Sequence, residues 1–111
     1  MGFYNFGVPS QVKAWVDRLA VKGKTFEYGE KGPIGLAGGK RVILAISRGG
    51  FYGPGMPTQS FEHAETYMRS VFAFFGIPQI EVVAVEGASR GPEVRQAGIA
   101  KAEAAIAELA A

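Results

Sequence analysis

Residues 47–50, Ser47-Arg48-Gly49-Gly50, set a hydroxyl, a cation and two residues without a Cβ directly after an unbroken apolar run, Val42-Ile43-Leu44-Ala45-Ile46. Glycines at such a point let backbone approach a flat or anionic group closely and aim N–H donors at it. In open α/β sheets ligands sit outside the carboxyl ends of the strands, which is where this tetrapeptide falls. The same four residues also read as a plain strand-to-loop turn. Near the start Phe3, Tyr4 and Phe6 surround Asn5, in a segment too short and too poorly patterned to be an element by itself. His63 is the only histidine and sits among polar residues at a helix start, which reads as surface rather than ligand or base.

Other chemistries drop out. Gly35-Leu36-Ala37-Gly38-Gly39-Lys40 suggests a phosphate loop, but Ile34 stands where the first glycine belongs and Arg41 where Ser or Thr should meet magnesium. The segment also precedes a strand instead of following one. With no cysteine, disulfides, thiolate catalysis and cysteine metal sites are excluded, and no metal site is expected. Net charge is +2 with scattered Lys and Arg, so nothing argues for a nucleic acid or a membrane surface as partner. The apolar runs at 42–46 and 71–75 are too short to span a bilayer, and no signal segment opens the chain. A cytoplasmic protein is the expectation.

The elements that must position these residues follow from periodicity. At 111 residues and 48% hydrophobic content the chain reads as one domain, 1–111, with a modest core. Val12, Trp15, Val16, Leu19 and Ala20 form an amphipathic stripe, predicting a helix from Pro9 to Lys22 capped by Gly23. Thr25-Phe26-Glu27-Tyr28 and residues 34–36 suggest a short hairpin. The run at 41–47 reads as a strand buried on both faces, the habit of parallel sheets. A helix capped by Thr58 or Ser60 follows, with Phe61, Ala64, Met68, Val71, Phe72 and Phe75 inward. A second strand at 79–85 completes a right-handed parallel crossover. Pro92 starts a last helix running to Ala111, with Val94, Ala97, Ala105, Ile106 and Leu109 as its inner stripe. Three helices alternating with two main parallel strands form an α/β pattern, half of a doubly wound sheet.

Residues 3–15, Phe3-Tyr4-Asn5-Phe6-Gly7-Val8-Pro9-Ser10-Gln11-Val12-Lys13-Ala14-Trp15, closely resemble the loop and helix after the third strand of the FMN-dependent NADH:quinone and azo-compound oxidoreductases. The resemblance continues through Thr25-Phe26-Glu27-Tyr28, Gly32-Pro33, Gly39-Lys40, Ser47-Arg48-Gly49-Gly50, Phe74-Phe75-Gly76-Ile77 and Glu86-Gly87 to Gly91-Pro92-Glu93. It implies the second half of a flavodoxin-like parallel sheet of order 2-1-3-4-5. It also implies FMN as cofactor, NADH or NADPH as hydride donor, and a small quinone or azo compound as acceptor. On the same basis Phe3, Tyr4, Asn5 and Phe6 would lie against the isoalloxazine, and Ser47, Arg48, Gly49 and Gly50 would form a second flavin-binding loop. Tyr28 and Phe74 would line the substrate pocket of a dimer partner. Core packing is the other reading of Tyr4, Phe6, Tyr28 and Phe74, and a solvated strand-end charge the other reading of Arg48.

A flat ring system with a polar edge suits aromatic neighbours and aimed N–H groups, and Arg48 with fixed backbone dipoles would favour its reduced state. No side-chain acid or base is expected, because hydride passes to the flavin's own ring. The resemblance covers only the family's second half, without the first-strand loop that wraps the FMN phosphate. The chain is therefore expected to be truncated, a fragment or an engineered half. The rival expectation is an inactive half-flavodoxin that self-associates or complements a missing half. In either case the apolar strand at 41–47 would have an unpaired edge, which points to a homodimer or higher oligomer.

Overall fold

The computed structural model describes residues 1–109. Helix α1 (Ser10–Leu19) leads into an antiparallel hairpin, β1 (Phe26–Gly29) with β2 (Gly32–Gly35). Strand β3 (Ile43–Ser47), helix α2 (Glu65–Phe74) and strand β4 (Glu81–Val85) follow, and β3 pairs with β4 in parallel. Helix α3 (Pro92–Glu108) closes the chain. The element order, the hairpin and the parallel crossover are those expected. The expected run of the last helix to Ala111 extends outside the described residues. No helix among the described residues is long and apolar enough to cross a membrane.

The core is built on one face of the sheet. Val16 of α1, Leu44 of β3, and Met68 and Phe72 of α2 pack with Phe75, Ile77 and Ile80. The strand β3 is not buried on both faces. It alternates, with Leu44 and Ile46 buried while Ile43 is 47% exposed. The physical reason is coverage: α1 and α2 close one face, whereas the other carries only α3, which lies against β4. Trp15, expected inward, is half exposed beside Phe72 at 6.5 Å between ring centroids.

Several boundaries move for identifiable reasons. Helix α1 stops at Leu19 rather than Lys22, because the Thr25 hydroxyl donates to the Leu19 carbonyl at 2.6 Å and accepts from Val21 N–H. Gly23 instead sits in the following turn. Residues 59–61 form a separate 3₁₀ turn, so neither Thr58 nor Ser60 caps α2, and Phe61 is exposed. The Glu62 carboxylate takes that role, accepting from the N–H groups of Ala64, Glu65 and Thr66. On α3, Ala102 is the buried residue and Gly98 packs close to the Glu86 carbonyl, while Ala97 and Ile106 remain exposed at the edges of the hollows between α3 and the sheet.

The hairpin is docked on the far end of α2. Ala37 N–H donates to the Phe75 carbonyl at 2.8 Å, and a Cβ at Gly35 would lie 2.2 Å from the Gly76 nitrogen, so only glycine fits there. At the other end of β3, Gly2 bridges Ser47 in parallel and Ser47 N–H donates to the Met1 carbonyl. Residues 1–2 thus run beside β3 on the side away from β4. Three segments, after Gly2, β3 and β4, leave the sheet at the same carboxyl end.

Candidate functional site

The first of these segments is held in an uncommon shape. Tyr4 and Gly7 exchange backbone hydrogen bonds at 3.2 and 3.0 Å, and both central residues, Asn5 (φ 49°) and Phe6 (φ 70°), are left-handed. Asparagine tolerates that region, but for Phe6 it costs about 1 kcal/mol or more. Such strain persists only where the surroundings impose it. Here His63 N–H donates to the Phe6 carbonyl at 2.9 Å, and Phe6 packs against Phe61, Tyr52 and Phe3 with centroids 5.2, 6.2 and 6.3 Å away. Tyr4 remains 65% exposed.

The second segment is zipped to the third. Ala88, Ser89 and Gly87 donate backbone N–H groups to the carbonyls of Arg48, Gly49 and Gly50, each at 3.0 Å. The carbonyls are thereby satisfied. Among the described residues the N–H groups of Gly49 and Gly50 have no acceptor, although Gly50 is buried. Orphaned donors of this kind are rare in folded proteins and point to a ligand or water. A Cβ at Gly49 would come 2.8 Å from Ser89 Oγ, so this glycine also admits the neighbouring loop.

Phe3, Tyr4, Ser47, Gly49, Ala88 and Ser89 line a concavity of about 340 Å³ at this junction. It is polar at the two serines and the glycine backbone and aromatic at Phe3 and Tyr4. A larger hollow of about 500 Å³ lies between α3 and β4, lined by Phe51, Val82, Val94, Ala97 and Lys101. That hollow is mainly apolar, with Glu86 and Lys101 as its charged groups, whereas the smaller one gathers hydroxyls, glycine backbone and aromatic rings at the carboxyl end of the sheet, which makes it the better site.

Arg48 is only 3% exposed and is not a solvated strand-end charge. Its Nη2 lies 2.7 Å from Glu62 Oε2 and 2.9 Å from Glu65 Oε1, its Nε 3.2 Å from Glu62 Oε2, and its Nη1 4.0 Å from Glu86 Oε1. Glu86 in turn accepts the Tyr52 N–H at 2.6 Å. Burial alone pulls the Arg48 pKa down, but hydrogen bonds and charge from Glu65 and Glu62 outweigh it and raise the pKa above its ordinary value. Burial likewise pushes Glu62 up, and the N–H groups of Glu65 and Thr66 together with Arg48 bring it below the usual carboxylate range. The guanidinium charge is matched by carboxylates, which leaves Ser47 and the backbone of residues 48 and 49 as the polar part of this segment that lines the concavity.

Of the residues singled out from sequence, Phe3, Tyr4, Asn5, Phe6, Ser47, Arg48, Gly49 and Gly50 come together at the carboxyl end of the sheet. Tyr28 and Phe74 do not join them. They flank Phe26 at 5.5 and 4.9 Å, near the opposite end of α2, with Tyr28 60% exposed and Phe74 half-buried. Sequence reasoning missed Glu62, Glu65, Glu86 and Ser89. The acidic residues just before an apolar helix were a usable capping signal for Glu62 and Glu65. Ser89 offered none.

Comparison with known proteins supplies the setting for this geometry. A family model described as a flavodoxin-like fold matches residues 1–110. FMN-dependent NADH:quinone oxidoreductase 2 of Bradyrhizobium diazoefficiens is 56% identical over 108 residues, which are 97% of this chain and 54% of that protein. The FMN-dependent NADH:quinone oxidoreductase of Rhizobium meliloti is 57% identical over 105 residues, 95% of this chain and 50% of that one. A crystal structure of an FMN-dependent NADH-azoreductase from Bacillus anthracis in complex with FMN superposes with a TM-score of 0.82 at 31% identity, over 99% of this chain and 53% of that one. The chain spans about half the length of the curated relatives it matches. With its parallel β3–β4 crossover flanked by helices, and with residues 1–110 matched, the chain belongs to the family of the flavodoxin-like fold.

Proposed function

We propose that this chain forms the ring-binding side of an FMN-dependent NAD(P)H:quinone or azo-compound oxidoreductase. The observation that carries the reading is the acceptorless N–H of Gly49, which lines a concavity walled by Phe3 and Tyr4, with the acceptorless N–H of Gly50 next to it in the chain. When bound, FMN supplies the hydride chemistry, accepting from NADH or NADPH and reducing the quinone or azo acceptor. The chain's own part is to bind and orient. Gly49 and Gly50 N–H groups and the Ser47 hydroxyl would meet a polar ring edge, while Phe3, Tyr4 and Phe6 would cover an aromatic face. Asn5, at the left-handed corner, keeps the turn that presents those rings. The names of the relatives, and the FMN complex among the similar structures, support the same cofactor.

The described residues of the concavity are aromatic rings, hydroxyls and backbone N–H groups, and its cation, Arg48, is taken up by Glu62 and Glu65, so they suit a flavin ring better than a phosphate. Ring contacts therefore dominate whatever affinity the chain has by itself. Exposed apolar groups, among them Trp15, Tyr28, Ile34, Leu36 and Ile43, support assembly into a homodimer or higher oligomer. In that assembly Tyr28 and Phe74, remote from their own strand-end loops, would reach a partner's site. A protein that draws hydride from NAD(P)H works where that reductant is kept, in the cytoplasm.

The test is turnover. Protein loaded with FMN should oxidise NADH or NADPH in the presence of a benzoquinone or an azo dye faster than the same concentration of free FMN. A rate equal to that of free FMN, under all four pairings, would overturn the reading. It would favour instead a flavin-free piece that pairs through its open β3 face, where Ile43 is 47% exposed.

A further inference from the structure

We propose that Glu62 is a positioning residue, which acts through Arg48 to hold the strand-end loops of the site in register. Glu62 lies outside the loops themselves, yet its neighbourhood touches all three. Its carboxylate is 7% exposed and every lone pair is engaged. Oε1 accepts from Ala64 and Glu65 N–H at 2.9 Å and from Thr66 N–H at 3.3 Å, while Oε2 meets Arg48 Nε and Nη2 and also Glu65 N–H at 3.0 Å. The anion is thus fixed by the start of α2 on one side and grips the guanidinium with the other.

Arg48 passes that constraint on. Its side chain lies 5.7 Å from the Phe3 ring centroid and its Nη1 faces Glu86, whose carboxylate holds the Tyr52 N–H. Its own N–H donates to the Val85 carbonyl at 2.8 Å, and its carbonyl accepts Ala88 N–H. The next residue after Glu62, His63, holds the Phe6 turn by its N–H. A charge-assisted grip in which two guanidinium donors meet one carboxylate oxygen fixes direction as well as adding strength, and a buried network whose side-chain atoms all have partners defines one arrangement. Without the Glu62 charge, Arg48 keeps only the half-buried Glu65, at Nη2, and Glu86, 4.0 Å from Nη1. The segment 47–50 then loses the anchor that aims its free N–H groups.

The assignment rests on the flavin reading for its purpose and not for its mechanics, so two measurements separate them. Glu62→Gln keeps an oxygen to cap α2 but removes the charge; Arg48→Lys keeps the charge but removes the fork. Amide hydrogen exchange should quicken about tenfold or more in segments 47–53 and 87–89 of both variants, since hydrogen bonds to charged groups are worth at least that factor. Protection in β3 and β4 should be retained. In an FMN titration both variants should bind about tenfold more weakly, and saturated Glu62→Gln should show a visible flavin band displaced from that of the parent. Exchange and flavin binding equal to the parent in both variants would overturn the assignment. So would loss of protection throughout β3 and β4 in both, which would make the pair a general staple of the fold. If the parent takes up no FMN, the flavin reading falls, and the exchange pattern by itself decides whether Glu62 positions the loops.

Discussion

The backbone N–H of His63 donates to the carbonyl of Phe6 at 2.9 Å, joining a residue two positions before α2 to a left-handed aromatic corner 57 positions earlier in the chain. Histidine enters the site by its main chain, and its side chain is exposed. This relationship separates what the site needs from what its most reactive-looking side chain offers.

A first expectation follows. In His63→Ala the N–H remains, so the Phe6 turn and ring binding should persist, with kcat/KM for NADH oxidation within about twofold of the parent, as for surface substitutions in general. Steady-state rates on flavin-loaded protein check this. Loss of turnover with flavin content and fold intact would show that the imidazole moves a proton, contrary to hydride chemistry without a side-chain acid or base.

Substitution of Gly49 by Val should weaken FMN binding about tenfold or more, because overpacking of this kind costs about 1–3 kcal/mol and the new Cβ would stand 2.8 Å from Ser89 Oγ. The branched side chain also screens the free N–H of the residue. Fluorescence titration of the flavin reads the affinity directly. A variant that binds as tightly as the parent would remove this glycine from the ring site.

Acid should loosen the fold through Glu62. Its folded pKa is lowered, burial being outweighed by the N–H groups of Glu65 and Thr66 and by Arg48. A carboxylate of depressed pKa contributes stability that is complete above its unfolded value, about 4.3, and that is lost as pH falls through its folded value. Urea midpoints at neutral pH and near pH 4 should therefore converge between parent and Glu62→Gln as pH falls. A difference between the two proteins that stays constant over that range would contradict the linkage.

Assembly is a separate expectation. Ile43 is 47% exposed on β3, and among the described residues only Met1 and Gly2 run along the strand's side away from β4, at its carboxyl end. An apolar strand with an open edge is a template for another chain. Sedimentation should give a dimer or larger species at micromolar concentration, and Ile43→Lys should shift it toward smaller ones. A well-folded monomer of the parent would show that the single covered face of the sheet suffices.

Much of this was legible from local pattern. The stripe of Val12, Val16 and Leu19, the β3–α2–β4 crossover and the hairpin around residues 30 and 31 depend on near neighbours in sequence, and periodicity reports near neighbours. The candidate loops were picked out in two ways: Gly49-Gly50 by standing directly after an apolar run, and the aromatics around Asn5 by a family resemblance carried in adjacent letters. The misses depend on distant partners. The exposed face of β3 reflects which helices lie over it, and five consecutive apolar residues hold no record of that. Helix α2 starts at Glu65 because a carboxylate at 62 caps it, where hydroxyls at 58 and 60 offered the more familiar signal. Arg48 looked free because its carboxylate partners stand 14, 17 and 38 residues away, at Glu62, Glu65 and Glu86.

The central claim is that these loops hold the ring of a flavin and not its phosphate. Parallel titrations with FMN and with riboflavin, which lacks the phosphate, test it most directly, read by quenching of flavin fluorescence. Both should bind with affinities within about threefold of one another, less than 1 kcal/mol, and inorganic phosphate should not compete. Uptake of neither flavin, or uptake of FMN alone that phosphate displaces, would contradict it.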